Sequence, residues 1–279
     1  MRARRVRAEG LPIVSRTLPP LDLHAHVDVG ISPRDLEGLG AVVFAATRTL
    51  GEAERALARS DAITVWGVGC HPGVASAHAG FDASRFGALL RDTPLVSEVG
   101  LDGASAVAMD RQREIFAAIL TATSRAPRLT SVHSKRATSQ VLDLIEAVDA
   151  RGVILHWWLG SIRETQRALQ LGCLFSVNSS MDTAKLRAAG VQLDAILPET
   201  DHPSGNRKST DPKQPGRVID LERALAVHYG VTPDDVREQS WRTLARVSTD
   251  LDLDRLFPMP VQRMLAAARG LQSRGGGGQ

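Results

Sequence analysis

The side chains of this 279-residue sequence best suited to chemistry are imidazoles and carboxylates spread at wide intervals. His24 and His26 stand two apart in DLHAHVD, Glu98 lies in SEVGLDG, His133 in SVHSKRA, His156 in ILHWWLG and Asp201 in PETDHP. In an extended chain the side-chain period of two puts His24 and His26 on one side, roughly 6 to 7 Å apart at the backbone, which suits chelation of one ion. A lone histidine at a strand end is ordinarily a hydrogen-bonded structural residue. Four of them with two carboxylates would crowd together polar groups that each need a partner, and divalent ions would satisfy them all. Mixed nitrogen and oxygen donors suit Zn, Mn or similar ions, and the absence of thiolates argues against a closed structural zinc site. Cys70 and Cys173 show no CxxC pairing and read as buried free thiols.

The elements that must position these residues alternate along the chain. Strands are predicted at 21–25, 41–46, 63–69, 94–99, 129–133, 152–156, 173–177 and 194–197, with helical patterns between them at 32–39, 52–60, 83–91, 111–125, 139–150, 161–171 and 183–189. This α/β order fits a (β/α)8 barrel of the TIM type, although a doubly wound open sheet would show the same alternation. The polar residues decide for the barrel. Its parallel strands all point one way, so His24, His26, Glu98, His133 and His156 at strand ends, with Asp201 just past the last strand, converge on the carboxyl face where such barrels place their chemistry. Helices at 218–229 and 233–249 are expected to complete the barrel and to cap it.

We expect a basic N-terminal extension over 1–19, one catalytic domain over 20–250, and a C-terminal segment over 251–279 ending in a flexible glycine-rich tail. The hydrophobic fraction of 43% and charged fraction of 23% are ordinary for a globular protein. No apolar run approaches the roughly 20 residues of a membrane span. No apolar segment follows the basic first residues, so no secretory signal is expected and the cytoplasm is the expected location. No GxGxxG or GxxxxGK[ST] segment follows a predicted strand, which excludes the usual dinucleotide and P-loop sites. A net charge of +3 is too small to argue for nucleic acid by itself.

DLHAHVD, GCHPG, SEVGLDG, SVHSKRA, ILHWWLG and PETDHP occur in the order of the motifs of the TatD-like metal-dependent hydrolases, and the chain resembles that family over about residues 21–250. The resemblance implies a β/α barrel acting as a magnesium- or manganese-dependent deoxyribonuclease or phosphoesterase. It implies two divalent ions (Zn, Mg or Mn), one held by His24, His26 and Asp201, the second by His133 and His156, with Glu98 bridging. Asp201 is then the expected general base, and Glu98 belongs to the catalytic set. His71 in GCHPG matches a family histidine near the site that would contact substrate, with a turn-capping role before Pro72 as the alternative.

The match also departs from the family. Gly103, Ala104 and Ser105 stand where the family often has two aromatics and an arginine, and Lys135 replaces an arginine, giving a point charge for a bidentate fork. Arg136 adds a cation where an acid is common. Trp157 or Trp158 after His156 could stack on a nucleobase, but ordinary packing is the favoured reading. Arg207, Lys208, Lys213 and Arg217 could track a nucleic-acid backbone or lie on a solvated loop. Asp28 and Glu199 could orient metal ligands or face solvent. The GLDG, HSxRA and LHWxxG variants are most similar to the TatD-like component of the Qat anti-phage defence system, which implies other Qat-system proteins as partners, with DNA or another phosphodiester as substrate. Two other classes stay open: a metal-dependent hydrolase of a small C–N or C–O substrate, and a metal-holding scaffold of a defence complex.

Overall fold

Apolar runs and amphipathic segments do fold alternately, and the computed structural model describes residues 18–272. The expected basic extension, apart from residues 18 and 19, and most of the glycine-rich tail lie outside the described residues. In chain order the elements are β1 (Leu21–His26), α1 (Pro33–Gly38), β2 (Val42–Ala46), α2 (Leu50–Leu57), β3 (Thr64–Trp66), α3 (Ala75–Ala79), α4 (Ala83–Leu89), β4 (Leu95–Gly100), α5 (Met109–Arg125) and β5 (Leu129–His133). They continue as α6 (Thr138–Ala147), β6 (Val153–His156), α7 (Ile162–Gln170), β7 (Leu174–Val177), α8 (Thr183–Ala188), β8 (Ile196–Pro198), α9 (Ile219–Tyr229), α10 (Pro233–Asp250) and α11 (Met259–Gln272).

All strand pairs are parallel, in the orders β1-β2-β3 and β4-β5-β6-β7-β8. Hydrogen bonds past the strand ends close the two sheets into one barrel. Val68 N donates to Leu95 O (3.1 Å) and Ser97 N to Val68 O (3.0 Å), while Asp201 N donates to His24 O (2.8 Å) and His26 N to His202 O (3.0 Å). The fold is therefore the expected TIM-type barrel. The third strand is shorter than predicted, because the chain leaves β2 after Trp66 and Val68 bridges to Val96 of β4. Glycine permits this crossing: a Cβ on Gly69 would stand 2.1 Å from the Thr47 carbonyl oxygen.

Every strand sends an apolar side chain into the amino end of the barrel, among them Leu21, Phe44, Val65, Leu95, Leu129, Ile154, Leu174 and Leu197. Trp241 and Leu244 of α10 and Val261 and Leu265 of α11 close that end. Trp241 Nε1 donates to Pro19 O (2.8 Å), so the buried indole leaves no polar atom unpaired. The C-terminal segment thus contributes a core helix, which composition alone did not reveal. A second layer lies between strands and helices, where Ile115, Phe116, Ile119 and Leu120 place one face of α5 in the core. Each such burial stabilises by roughly 1.5–3 kcal/mol. Capping boxes start α7 (Ser161 with Glu164) and α10 (Thr232 with Asp235, after which Pro233 takes the first turn).

Two irregularities decide where the chemistry points. Leu21 and Leu23 both join the inner core, so strict alternation would turn His24 and His26 outward. The β1–β2 register slips by one residue between Asp22 and Ala25, and Ala25 and Val27 face the outer layer instead. β4 does the same between Val96 and Val99: Leu95 is in the inner core, Val99 in the outer layer, and Glu98 faces inward between them. Each bulge inserts one residue and re-aims the side chains after it.

Candidate metal centre

The polar residues gather at the carboxyl end of the barrel around Glu98, which is 1% exposed. Its Oε2 lies 3.1 Å from His26 Nε2 and 3.7 Å from His24 Nε2. Its Oε1 lies 3.1 Å from His133 Nδ1, 3.4 Å from His71 Nε2 and 4.0 Å from His156 Nε2. Asp201 Oδ1 stands 3.8 Å from His26 Nε2. The rings of His24 and His156 stack with centroids 4.0 Å apart. All six residues expected as metal ligands thus share one cluster with His71.

Hydrogen bonds assign the ring nitrogens. His156 Nδ1 lies 2.8 Å from Glu199 Oε2, whose other oxygen accepts from Asn178 Nδ2 (3.0 Å). With Nδ1 held by that carboxylate, Nε2 faces the site and presents a lone pair there once its own proton is lost, an arrangement that orients metal-binding imidazoles. His24 Nδ1 is likewise held by Ser131 Oγ (2.9 Å). His71 is the opposite case: its Nδ1 accepts from Gly73 N (2.9 Å), so the neutral ring carries its proton on Nε2, facing Glu98. Turn capping and site contact therefore coexist in His71, whose neutral ring donates from Nε2 toward Glu98.

Donor atoms that approach within 4.8 Å of one another form the sets His24–Glu98–His156, His24–His26–Asp201 and His26–His71–Glu98. The second is the set expected for the first ion. His133 is in none of them; its Nε2 instead faces Asp102 Oδ2 (3.2 Å), and its ring is 6.1 Å from that of His156. The fit to a divalent cation rests on unpaired atoms: His24 Nε2 and Glu98 Oε2 are buried with no hydrogen-bond partner among the described residues. An unsatisfied buried polar group costs about 1–3 kcal/mol. A cation between these nitrogen and carboxylate donors would satisfy both, and the donor set contains no sulfur.

Without metal, the protons distribute by charge. Burial opposes ionisation of Glu98, but the imidazoles of His133, His24, His26 and His71 around it hold it well below the usual carboxylate range. Burial would lower His156, yet Glu199, then Asp201 and Glu98, push it up to about 10. The His133 imidazole holds Asp102 down to about 2. A histidine raised in the fold contributes stability that is complete below its unfolded value and lost as pH rises through its folded one. Chelator-treated protein should therefore be more stable near pH 6 than near pH 9. Metal uptake must displace the Nε2 proton of His156, so affinity should rise with pH and calorimetry in buffers of different ionisation enthalpy should show proton release. Chelation should lower the melting temperature of metal-loaded protein. No proton release together with unchanged melting would count against the site.

Several residues that sequence reasoning passed over hold the cluster in place. Asp22 is buried and takes four hydrogen bonds, from His24 N (3.3 Å), Thr200 N (2.8 Å), Thr200 Oγ1 (2.6 Å) and Gly216 N (2.8 Å). It ties the first strand to the loop carrying Asp201, whose backbone sits at φ 40. Such a left-handed pose in a non-glycine residue costs about 1–3 kcal/mol and persists where its surroundings enforce it. Asp22→Asn would turn an amide N–H toward this ring of donors. We expect a loss of about 1–3 kcal/mol in denaturant unfolding, with reduced metal content; unchanged values would remove the anchoring role. The signal was the period of two itself, since Asp22 stands two before His24. Ser131 bears the same relation to His133.

The remaining expectations divide. Lys135 and Trp157 line a cavity of about 640 Å³ at the cluster, together with Arg136 and Arg207. Trp158 is core instead, donating to Thr165 Oγ1 (2.8 Å) and packing on Phe175. Glu199 orients a ligand, whereas Asp28 is exposed and accepts from Gly30 N (2.6 Å). The polar loop after Asp201 is held by Asp22, by Asp220 against Thr210, and by Ser179 against Ser209. His78 lies outside the cluster, buried in α3. Cys70 and Cys173 are buried and free.

The sequence matches the family described as TatD related DNase over residues 21–248. The chain belongs to this family. Among solved structures, the TatD homologue YJJV of Escherichia coli is 20% identical with a TM-score of 0.71, over 81% of this chain and 96% of that one. The TatD family hydrolase of Entamoeba histolytica is 13% identical with a TM-score of 0.67, over 83% and 98%. An uncharacterised amidohydrolase from Saccharomyces cerevisiae is 13% identical with a TM-score of 0.59, over 82% and 99%. At these identities the structural matches speak for the fold. No curated protein matches the sequence. As a TatD-family chain the protein has a hydrolase fold of a typically metal-dependent kind, with a buried His/Glu/Asp cluster able to hold a metal. No helix among the described residues is long and apolar enough to cross a membrane.

Proposed function

We propose that the protein is a divalent-metal-dependent phosphodiesterase acting on DNA. The observation that carries this reading is the cavity of about 640 Å³ in which Glu98, Asp201 and the histidines face a wall bearing Lys135, Arg136 and Arg207. Three cations beside a hydrolytic centre suit an anionic phosphodiester better than a neutral amide or ester. His24, His26 and Asp201 would hold one ion, and Glu98 with His156 the shared edge of a second, with His133 beside it. Bound there, divalent ions would supply positive charge at the phosphoryl oxygens and lower the pKa of water.

The chain's own groups do the rest. Burial pushes Asp201 up to about 6, a value His156 restrains, so its carboxylate is mostly ionised at neutral pH and can take a proton from the attacking water. His71 lines the same cavity and, with its Nδ1 held by Gly73, would turn its Nε2 proton from Glu98 to a substrate oxygen. Lys135 and Arg136 balance the substrate's charge. Metal-reconstituted protein should hydrolyse single-stranded DNA in preference to RNA, carboxamides and carboxylate esters. Turnover of an amide or ester with no cleavage of nucleic acid would replace this reading with the small-substrate one. We extend the proposal to partnership with Qat-system proteins on the strength of the GLDG, HSxRA and LHWxxG variants. Co-expression and co-purification tests that part separately.

A further inference from the structure

A second cavity, of about 720 Å³, lies on the other side of His26. His26 lines both cavities, and the loop after Asp201 contributes to each: His202 and Pro203 line the second cavity, Ser204 and Arg207 the first. The second cavity is reached from β2 and α2 and also carries Arg48 and Arg55. Its charges are unequally committed. Asp28 and Glu52 each accept a backbone N–H, from Gly30 (2.6 Å) and Arg48 (2.7 Å), and Arg55 donates to Gly51 O (3.0 Å). The Arg48 guanidinium has no hydrogen-bond or ion-pair partner among the described residues, and its backbone carbonyl is fixed by His71 N (3.0 Å).

We infer that a single nucleic-acid strand runs through both cavities, with nucleotides on each side of the scissile phosphate, and that Arg48 holds a backbone phosphate on the far side. The inference rests on the phosphodiesterase reading and goes beyond it, because a site open on both flanks needs no strand end. Both volumes fall in the roughly 300–1,000 Å³ range of binding sites. The first cavity offers the Trp157 indole and cations, the combination that grips unpaired bases and their backbone. The buried Glu98 also requires the phosphate to descend below the rim, which an unpaired strand can do. Each cut consumes one water: its oxygen bonds to phosphorus, the P–O bond to one sugar oxygen breaks, and that oxygen takes a proton. The products are a phosphomonoester and a hydroxyl.

The test offers metal-loaded protein a covalently closed circular single-stranded DNA and the same strand linearised. The circle should be opened on the timescale of linear cleavage. Arg48→Glu should lower kcat/KM on the circle by on the order of ten-fold, the loss of one charged phosphate contact. A companion measurement takes binding of a labelled oligonucleotide to Asp201→Asn protein, with and without Arg48→Glu, and expects a similar loss of affinity. Degradation of the linear strand with an intact circle overturns the through-running path and leaves the phosphodiesterase reading standing. If neither DNA is cut but Arg48→Glu still weakens binding, the path stands and the activity reading falls. Binding and cleavage both indifferent to Arg48→Glu overturn the path.

Discussion

Glu98→Ala is expected to abolish hydrolysis, by at least about 10³-fold, and to lower metal content in the same sample. Among the described residues no other side chain touches as much of the site: its two oxygens face His24, His26, His71, His133 and His156. Its loss also removes one of the carboxylates that raise His133 and His156, the first together with Asp102 and the second with Glu199 and Asp201. Removing one partner of a buried charged cluster costs about 3–5 kcal/mol, so the alanine variant should unfold more easily. Glu98→Gln keeps the volume and separates the two effects, since it should fold better than the alanine variant and still lack activity. Metal content by elemental analysis, with rates on the same preparation, is the measurement. Near wild-type hydrolysis by Glu98→Ala in chelator-treated samples would end the metal-dependent mechanism for this chain.

Asp201→Asn should separate chemistry from binding. The amide retains size and an oxygen donor but has no basicity at neutral pH, so kcat should fall by about 10²–10⁴-fold. Metal content should fall less than in the Glu98 variants, because His24, His26, Glu98 and His156 are unchanged. KM should move less than kcat, since Lys135 and Arg136 do not touch Asp201 through any ion pair. Single-turnover rates and metal content together check this. Equal losses in metal and kcat would make Asp201 a ligand with no separate role as base.

Much of the barrel was legible because its signals are local. A strand buried on both faces reads as a short apolar run, and a helix covering it reads as a 3.6-residue stripe, whatever lies elsewhere in the chain. The predicted and observed strands differ mainly at β3, where an apolar run continues while the chain changes partners at Gly67 to Gly69. The run carries no mark of that change, because what permits it is the nearness of Ser97 and the Thr47 carbonyl across the barrel. α11 went unread for a related reason: its purpose is the apolar end of the barrel, which exists only once all the strands are assembled.

By itself the sequence determined which residues could do the chemistry: His24, His26, Glu98, His133, His156 and Asp201 sit at strand ends, and a parallel barrel brings strand ends together. Only the tertiary structure decided how they face one another. The bulges in β1 and β4 turn His24, His26 and Glu98 inward where plain alternation would turn them out. Glu199 holds His156 Nδ1 from 43 residues away and so turns Nε2 to the site, while Gly73 N donates to His71 Nδ1 and leaves the proton of the neutral ring on the nitrogen facing the site. Asp22 anchors the Asp201 loop across 178 residues. Periodicity places a residue on an element, but register, tautomer and anchoring belong to hydrogen bonds between segments distant in sequence, and those form only when the barrel closes.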